Sequence, residues 1–257
     1  MSWQKQTNEK PLFPDLLWSR PENKKHAGKL LIIGGQASEF QNISSTYSFA
    51  HEAGAGTIRI LMPGSLRKIT ENIQGAEFAP SNKSGGFAKT ALAQFFDLSE
   101  WTDFILLAGD FGKNSETTVI LDGFLLRNSA PIIISQNALE SIGIEFAQLV
   151  QMPLTLVIDR TIFQKIGKAV GTHVPITSLT TYENMGEIIQ NISARSKAGF
   201  VIMDEEHVWT AIKGEMVSTK SKPIDINALS AYCAVWLMQN PKNPLEALST
   251  AIQQSIT

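Results

Sequence analysis

The chain has 257 residues, 43% hydrophobic and 18% charged, which suffices to bury the core of an α/β domain. Its formal net charge of −2, with no basic run longer than Lys24-Lys25, leaves no electrostatic footprint for nucleic acid or an anionic membrane surface. One cysteine, Cys233, excludes an intrachain disulfide; no apolar run reaches the roughly 20 residues of a membrane span and the opening MSWQKQTNEKPLFPD lacks leader character, so the expectation is a cytoplasmic protein.

In chain order, residues 1–25, with Pro11, Pro14 and Pro21 among many polar residues, read as an N-terminal arm. Residues 26–257 read as a single domain without repeat, linker or composition break. Short, continuously apolar or β-branched runs predict strands at 29–35, 57–63, 103–109, 130–135, 154–159, 199–204 and 208–212. Helical spacing predicts helices over 43–53, 64–73, 84–96, 116–127, 144–150 and 182–194, and two closing ones over 225–240 and 244–256. Thr180, three residues before Glu183, reads as a capping box, and Lys213-Gly214 as a hairpin turn. Strands without alternation, separated by helices, give an α/β fold with a mostly parallel sheet covered on both faces.

The first strand runs into IIGGQASEF, where Gly34-Gly35 would let a backbone approach a phosphate. Neither G-x-G-x-x-G nor G-x-x-x-x-G-K-[ST] is complete, and a tight turn is the plainer reading. His51, His173 and His207 have no ligand-like spacing to one another or to Cys233, so no structural metal is expected. Cys233, within AYCAVWL, reads as a buried inert thiol, and Asp204-Glu205-Glu206 as a solvated turn.

The run RPENKKHAGKLLIIGGQ followed by SFAHEAGAGTIRILMP resembles the opening of the ribokinase-like ADP/ATP-dependent NAD(P)H-hydrate dehydratases, with Ala53-Gly54-Ala55-Gly56 as a second shared marker. DFILLAGDFGKN stands where that family has a Gly-Pro-Gly-Leu-Gly turn, APIIISQNALES where it has a strand ending in Asp-Ala-Asp-Ala-Leu, and PLEALSTAIQ near its closing helix. The resemblance spans residues 13–255 and implies a ribokinase-like fold and a homo-oligomer. It also implies a reaction in which ADP or ATP with Mg phosphorylates the hydroxyl of hydrated NADH or NADPH, phosphate elimination then restoring the cofactor. The implied partners are an adenine nucleotide and an NAD(P)-type small molecule. Carried over by position, Gly34, Gly35, Gly109, Asp110, Gly112, Ile224 and Ile226 fall at the nucleotide and phosphate site, and His26, Asn137 and Asp159 at the substrate site.

The chain departs from this pattern where the chemistry sits. Ile224-Asp225-Ile226-Asn227 replaces the family's Gly-Thr-Gly-Asp at the start of the penultimate helix. Asn227, at the base position, does not titrate and cannot take a proton; losing a general base costs ~10²–10⁴ in rate. Asp159-Arg160-Thr161-Ile162 replaces His-Pro-Gly-Glu, Met203-Asp204 replaces Lys-Gly, Ser135 and Asn137 replace two aspartates, and Ala108-Gly109-Asp110 replaces Gly-Pro-Gly. Asp225 is the candidate substitute base, although an N-cap is the commoner role for an aspartate there. The expectation is a degenerate homologue with little or no catalytic activity. The competing readings are an active dehydratase using Asp225 or Asp110, and a non-enzymatic nucleotide-binding or scaffold protein.

Overall fold

The computed structural model describes residues 3–38, 40–172, 176–177 and 179–256. Among them ten strands form one sheet: β1 Gln4–Gln6, β2 Lys29–Ile33, β3 Thr57–Pro63, β4 Ala76–Ala79, β5 Phe104–Leu107, β6 Ile132–Ser135, β7 Thr155–Asp159, β8 Gly199–Asp204, β9 His207–Ile212 and β10 Glu215–Lys220. Their spatial order is β1-β10-β9-β8-β7-β6-β5-β2-β3-β4. From β4 to β8 every pair is parallel; β9 turns back on β8, β10 on β9, and β1 lies parallel to β10. All seven expected strands are present.

The helices are α1 Pro14–Trp18, α2 Gln41–Glu52, α3 Arg67–Thr70, α4 Leu92–Trp101, α5 Ser115–Leu125, α6 Gln136–Leu139, α7 Phe146–Leu149, α8 Arg160–Ala169, α9 Tyr182–Arg195, α10 Ile226–Gln239 and α11 Pro244–Ser255. They cover both sheet faces, which explains strands that are apolar at successive positions. In β2, Leu31 and Ile33 face a layer holding Phe95 of α4, Phe124 of α5, Phe163 of α8 and Ile189 of α9. Leu30 and Ile32 face Ala50 of α2, Leu229 and Cys233 of α10, and Leu248 of α11. All four β2 side chains are fully buried, each contributing about 1.5–3 kcal/mol by leaving water.

Several boundaries differ from the sequence expectation for local reasons. The helix expected from residue 84 starts at Leu92, because Asn82 Oδ1 accepts from the N–H groups of Ser84 and Gly86 and holds that stretch in a turn. The N-cap of α9 is Thr181, whose hydroxyl accepts from Asn184, so no capping box forms; Thr180 instead accepts from the Thr177 N–H. The short α7 replaces the helix expected over 144–150. Helix α8 was not expected, yet Asp159 caps it by accepting from Ile162 at 2.8 Å. Lys213 and Gly214, at φ 52° and 85°, do make the β9–β10 hairpin turn, whose left-handed geometry matches the twist of the strands. Asp204 is not solvated as expected: it pairs with Arg160 at 3.0 Å, while Glu205 and Glu206 form the exposed turn.

Candidate functional site

Strand β2 is flanked by β3, which follows it in the chain, and by β5, which arrives from the other side. In open α/β sheets such a switch in strand order, outside the carboxyl ends of the strands, is where ligands bind. Gly34 and Gly35 follow β2, and Ala108, Gly109 and Asp110 follow β5. The two turns are pressed together: a Cβ on Gly34 would stand 1.8 Å from the Ala108 carbonyl oxygen, so only glycine fits. Gly109 has φ +74°, and a Cβ there would face the backbone nitrogens of Gly35 and Ile43 at 3.7 Å and the Asn42 side chain at 3.8 Å. Asp110 ties the two loops together: one carboxylate oxygen accepts from Gly112 N–H in its own loop at 2.7 Å, the other from Gln36 Nε2 in the loop after β2 at 3.0 Å.

The start of α10 packs beside these turns, against the first residues of α2. Asp225 is the N-cap, with Oδ1 accepting from the Asn227 N–H at 2.8 Å and its carbonyl accepting from Leu229. Asn227 is 6% exposed; its Nδ2 donates to Asn42 Oδ1 on α2 at 3.3 Å, and its own Oδ1 has no partner. Ile224 and Ile226 pack as half-buried apolar side chains against the core layer shared by α2, α10 and α11. The structure thus gathers Gly34, Gly35, Gly109, Asp110, Gly112 and Asn227 at the carboxyl ends of β2 and β5, with Gln36 and Asn42 as partners that the sequence reading missed. Their only signal was position, as short polar residues just after the Gly-Gly turn and at the start of the helix it feeds.

The ends of β6, β7 and β8 carry the second group. Asp159 exchanges two hydrogen bonds with Gln136: its backbone N–H donates to Gln136 Oε1 at 2.6 Å and its Oδ2 accepts from Gln136 Nε2 at 3.0 Å. Its other oxygen caps α8, so this carboxylate is fully engaged. Arg160 pairs with Asp204 through Nη1, and its Nη2 donates to the carbonyls of Thr177 and Thr180. Beside them lies a cavity of about 230 Å³ with Met203, Val208, Pro223 and Ile224 on its apolar side. Lys222 and Pro223 also line a larger cleft of about 720 Å³ bounded by Thr7, Glu9, Glu206 and Lys220. Asn137 lies in α6 just past β6, half-buried beside Ser135, whose buried hydroxyl has no partner.

His26 is not part of either group. It sits in a 3-10 turn that leads into β2, at the opposite end of that strand from Gly34. The other shared markers cluster at that end and are packing features. Arg20 reaches the Ala53 carbonyl and lies over the Trp236 ring, and a Cβ on Gly56 would meet the Lys24 carbonyl oxygen at 2.2 Å. Among the described residues no group of three or more His, Cys, Asp or Glu is placed to hold a metal, and no helix is long and apolar enough to cross a membrane. His173 lies outside the described residues.

No family model matches the sequence, and no curated protein matches it. Solved structures do match. A ribokinase-like superfamily protein from Enterococcus faecalis V583 superposes with a TM-score of 0.72 over 98% of this chain and 87% of that one, at 17% identity. The fold is ribokinase-like. An ADP/ATP-dependent NAD(P)H-hydrate dehydratase from Bacillus subtilis, co-crystallised with ATP/Mg2+, matches at a TM-score of 0.66 and 14% identity, covering 96% of this chain and 87% of that chain. A ribokinase from Cryptococcus neoformans in complex with ADP matches at 0.55 and 12%, over 87% and 91% of the two chains. Identities this low show the ribokinase-like fold alone, a mostly parallel sheet with helices on both faces.

Proposed function

We propose that this chain is a degenerate relative of the nucleotide-dependent NAD(P)H-hydrate dehydratases, a ribokinase-like protein with little or no phosphoryl-transfer activity. One observation carries the reading: the N-terminus of α10 is already capped by a carboxylate of the chain itself, Asp225 on the Asn227 N–H at 2.8 Å. An anion site at a helix start needs free N–H groups and the positive end of the helix dipole. Here a negative side chain takes the N–H, and two half-buried isoleucines flank it where glycines would open the backbone. The residues present do not fit the phosphates of ADP or ATP.

The carboxylates that would have to replace a base are also occupied. Asp110 uses one oxygen on Gly112 and the other on Gln36, Asp159 uses both on Gln136 and α8, and Asp225 is the cap. Asn227, buried against Asn42, accepts no proton. A cytoplasmic homo-oligomer belongs to the same reading. The cavity beside β7 and β8 has room for a small molecule; of the two cations that line it, Arg160 is committed to Asp204 and two carbonyls, which leaves Lys222 as a single charge toward a triphosphate.

Calorimetric titration with Mg-ADP and Mg-ATP, followed in the same sample by an assay for conversion of NADPH hydrate, tests this. The expected result is weak or absent nucleotide binding and no turnover. Saturable binding with turnover would overturn the reading and return attention to Asp225. Binding without turnover would make the chain a nucleotide-responsive binding module.

A further inference from the structure

The sheet edge on the β10 side is closed by residues 3–6, and side chains rather than strand length hold them there. β1 pairs only Gln4, Lys5 and Gln6 with Val217, Ser218 and Thr219. On one face Trp3 fills a notch that exists because residue 186 is glycine: a Cβ there would stand 2.4 Å from the indole. The indole Nε1 donates to the Tyr182 hydroxyl at 3.2 Å, and the Tyr182 and Trp209 rings lie 5.6 and 5.5 Å from it. Lys5, on the same face, places its ammonium 4.9 Å from the Tyr182 ring centre. On the other face Gln6, 3% exposed, donates to Thr219 Oγ1 at 2.7 Å and to the Ser249 carbonyl at 2.8 Å.

This seat therefore reads an extended segment: an aromatic in the notch, a cation over Tyr182, and an amide in a buried slot three residues after the aromatic. The segment with that pattern seated in it is this chain's own Trp3-Gln4-Lys5-Gln6. The link to the body is short. Backbone hydrogen bonds between Thr7 and Lys10 close a turn, Pro11 and Pro14 follow, and Leu16 of α1 then anchors the chain in the core layer that contains α11. Pro14 opens α1, so the link between the seat and the anchored helix is residues 7–13.

We infer that the seat on β10 is an exchange site between copies of this chain, each accepting residues 3–6 of the other. The contacts made in the seat are identical whichever copy supplies the arm, so the closed and exchanged forms differ only in the link and in concentration. The tether keeps a copy's own arm at an effective concentration of the order of millimolar, so closure dominates in dilute solution and exchange grows with concentration or with a vacant seat. This inference does not rest on the loss of catalysis proposed above.

Two variants separate arm from seat. Trp3→Ala leaves a good seat with a poor arm; Gly186→Leu blocks the notch and leaves a good arm without a seat. Tagged Trp3→Ala chain is expected to capture untagged Gly186→Leu chain at least tenfold better than it captures a second Trp3→Ala chain. Equal capture of the two overturns the exchange site. If either variant melts well below the wild type, a dye-labelled peptide of residues 2–8 is titrated against the wild-type chain instead, through the roughly millimolar range in which it competes with the tethered arm. Saturable binding that is lost when the peptide's Trp and second Gln are replaced by Ala supports the seat. No binding, or equal binding of the two peptides, overturns it.

Discussion

Replacing Asp225 by alanine separates a cap from a catalytic group held in reserve. In the structure its carboxylate accepts from Asn227 N–H at 2.8 Å, on a residue that is 6% exposed. Removing an aspartate N-cap costs ~1 kcal/mol, and removing a charge that complements the helix dipole a further ~0.3–1 kcal/mol. Together these give about 1–2 kcal/mol, or a melting temperature lower by roughly 3–6 °C for a chain of this size. Asp225→Asn keeps the acceptor and loses only the charge, so its deficit should stay below about 1 kcal/mol and shrink further in high salt. Thermal denaturation followed by circular dichroism at low and high ionic strength reads both. A carboxylate kept for chemistry at the expense of stability would behave in the opposite way. If Asp225→Ala melts at or above the wild type, the cap argument fails, and with it the main support for a closed phosphate site.

Three further outcomes follow from the geometry. Gly34→Ala, whose Cβ would stand 1.8 Å from a backbone oxygen, should not accumulate as a folded protein, whereas Gly109→Ala, with no neighbour nearer than 3.7 Å, should fold and lose only the ~1–2 kcal/mol of a left-handed residue; gel filtration and melting distinguish them. Burial pushes the Cys233 thiol far above its ordinary value, so an aromatic disulfide reagent should leave it untouched in the native chain and label it at the rate of unfolding. Burial holds His207 below its ordinary value, against the opposing pull of Glu206 and Asp204. The unfolded chain then binds more protons between that lowered value and about 6.5, so stability from this group is complete above the window and falls as the pH drops through it. His207→Asn should reduce the loss in melting temperature between about pH 7.5 and about pH 5.5; an unchanged loss would remove His207 from the account.

The parallel body of the sheet was legible because its strands are buried on both faces and therefore read as unbroken apolar runs, as in Leu30–Ile33. The three strands that escaped are edge or near-edge segments. β1 is all polar, with only Gln6 buried; β4 is four residues long; β10 opens on Glu215 and closes on Lys220, and only the Lys213-Gly214 turn pointed to it. Helix α8 was hidden by its charged first residue, although Ile162, Phe163 and Ile166 give it a buried face. At the site, the glycines and Asp225 were readable because backbone conformation and capping are local properties. The Asn42–Asn227 contact spans 185 residues and the Arg160–Asp204 pair 44, and nothing local in a sequence encodes such meetings. His26 shows the converse: a marker matched in order along the chain can lie at the wrong end of its strand.

The buried Gln6 also sets an order of events during synthesis. Its acceptor Thr219 lies 213 residues later. At about 5–20 residues per second a ribosome needs roughly 10–40 s to cover that distance, and during this time the arm has no seat. An apolar strand left waiting that long would offer itself to other nascent chains. Residues 4–10, Gln-Lys-Gln-Thr-Asn-Glu-Lys, are polar throughout, so the segment that emerges early and docks last is also one that water can keep.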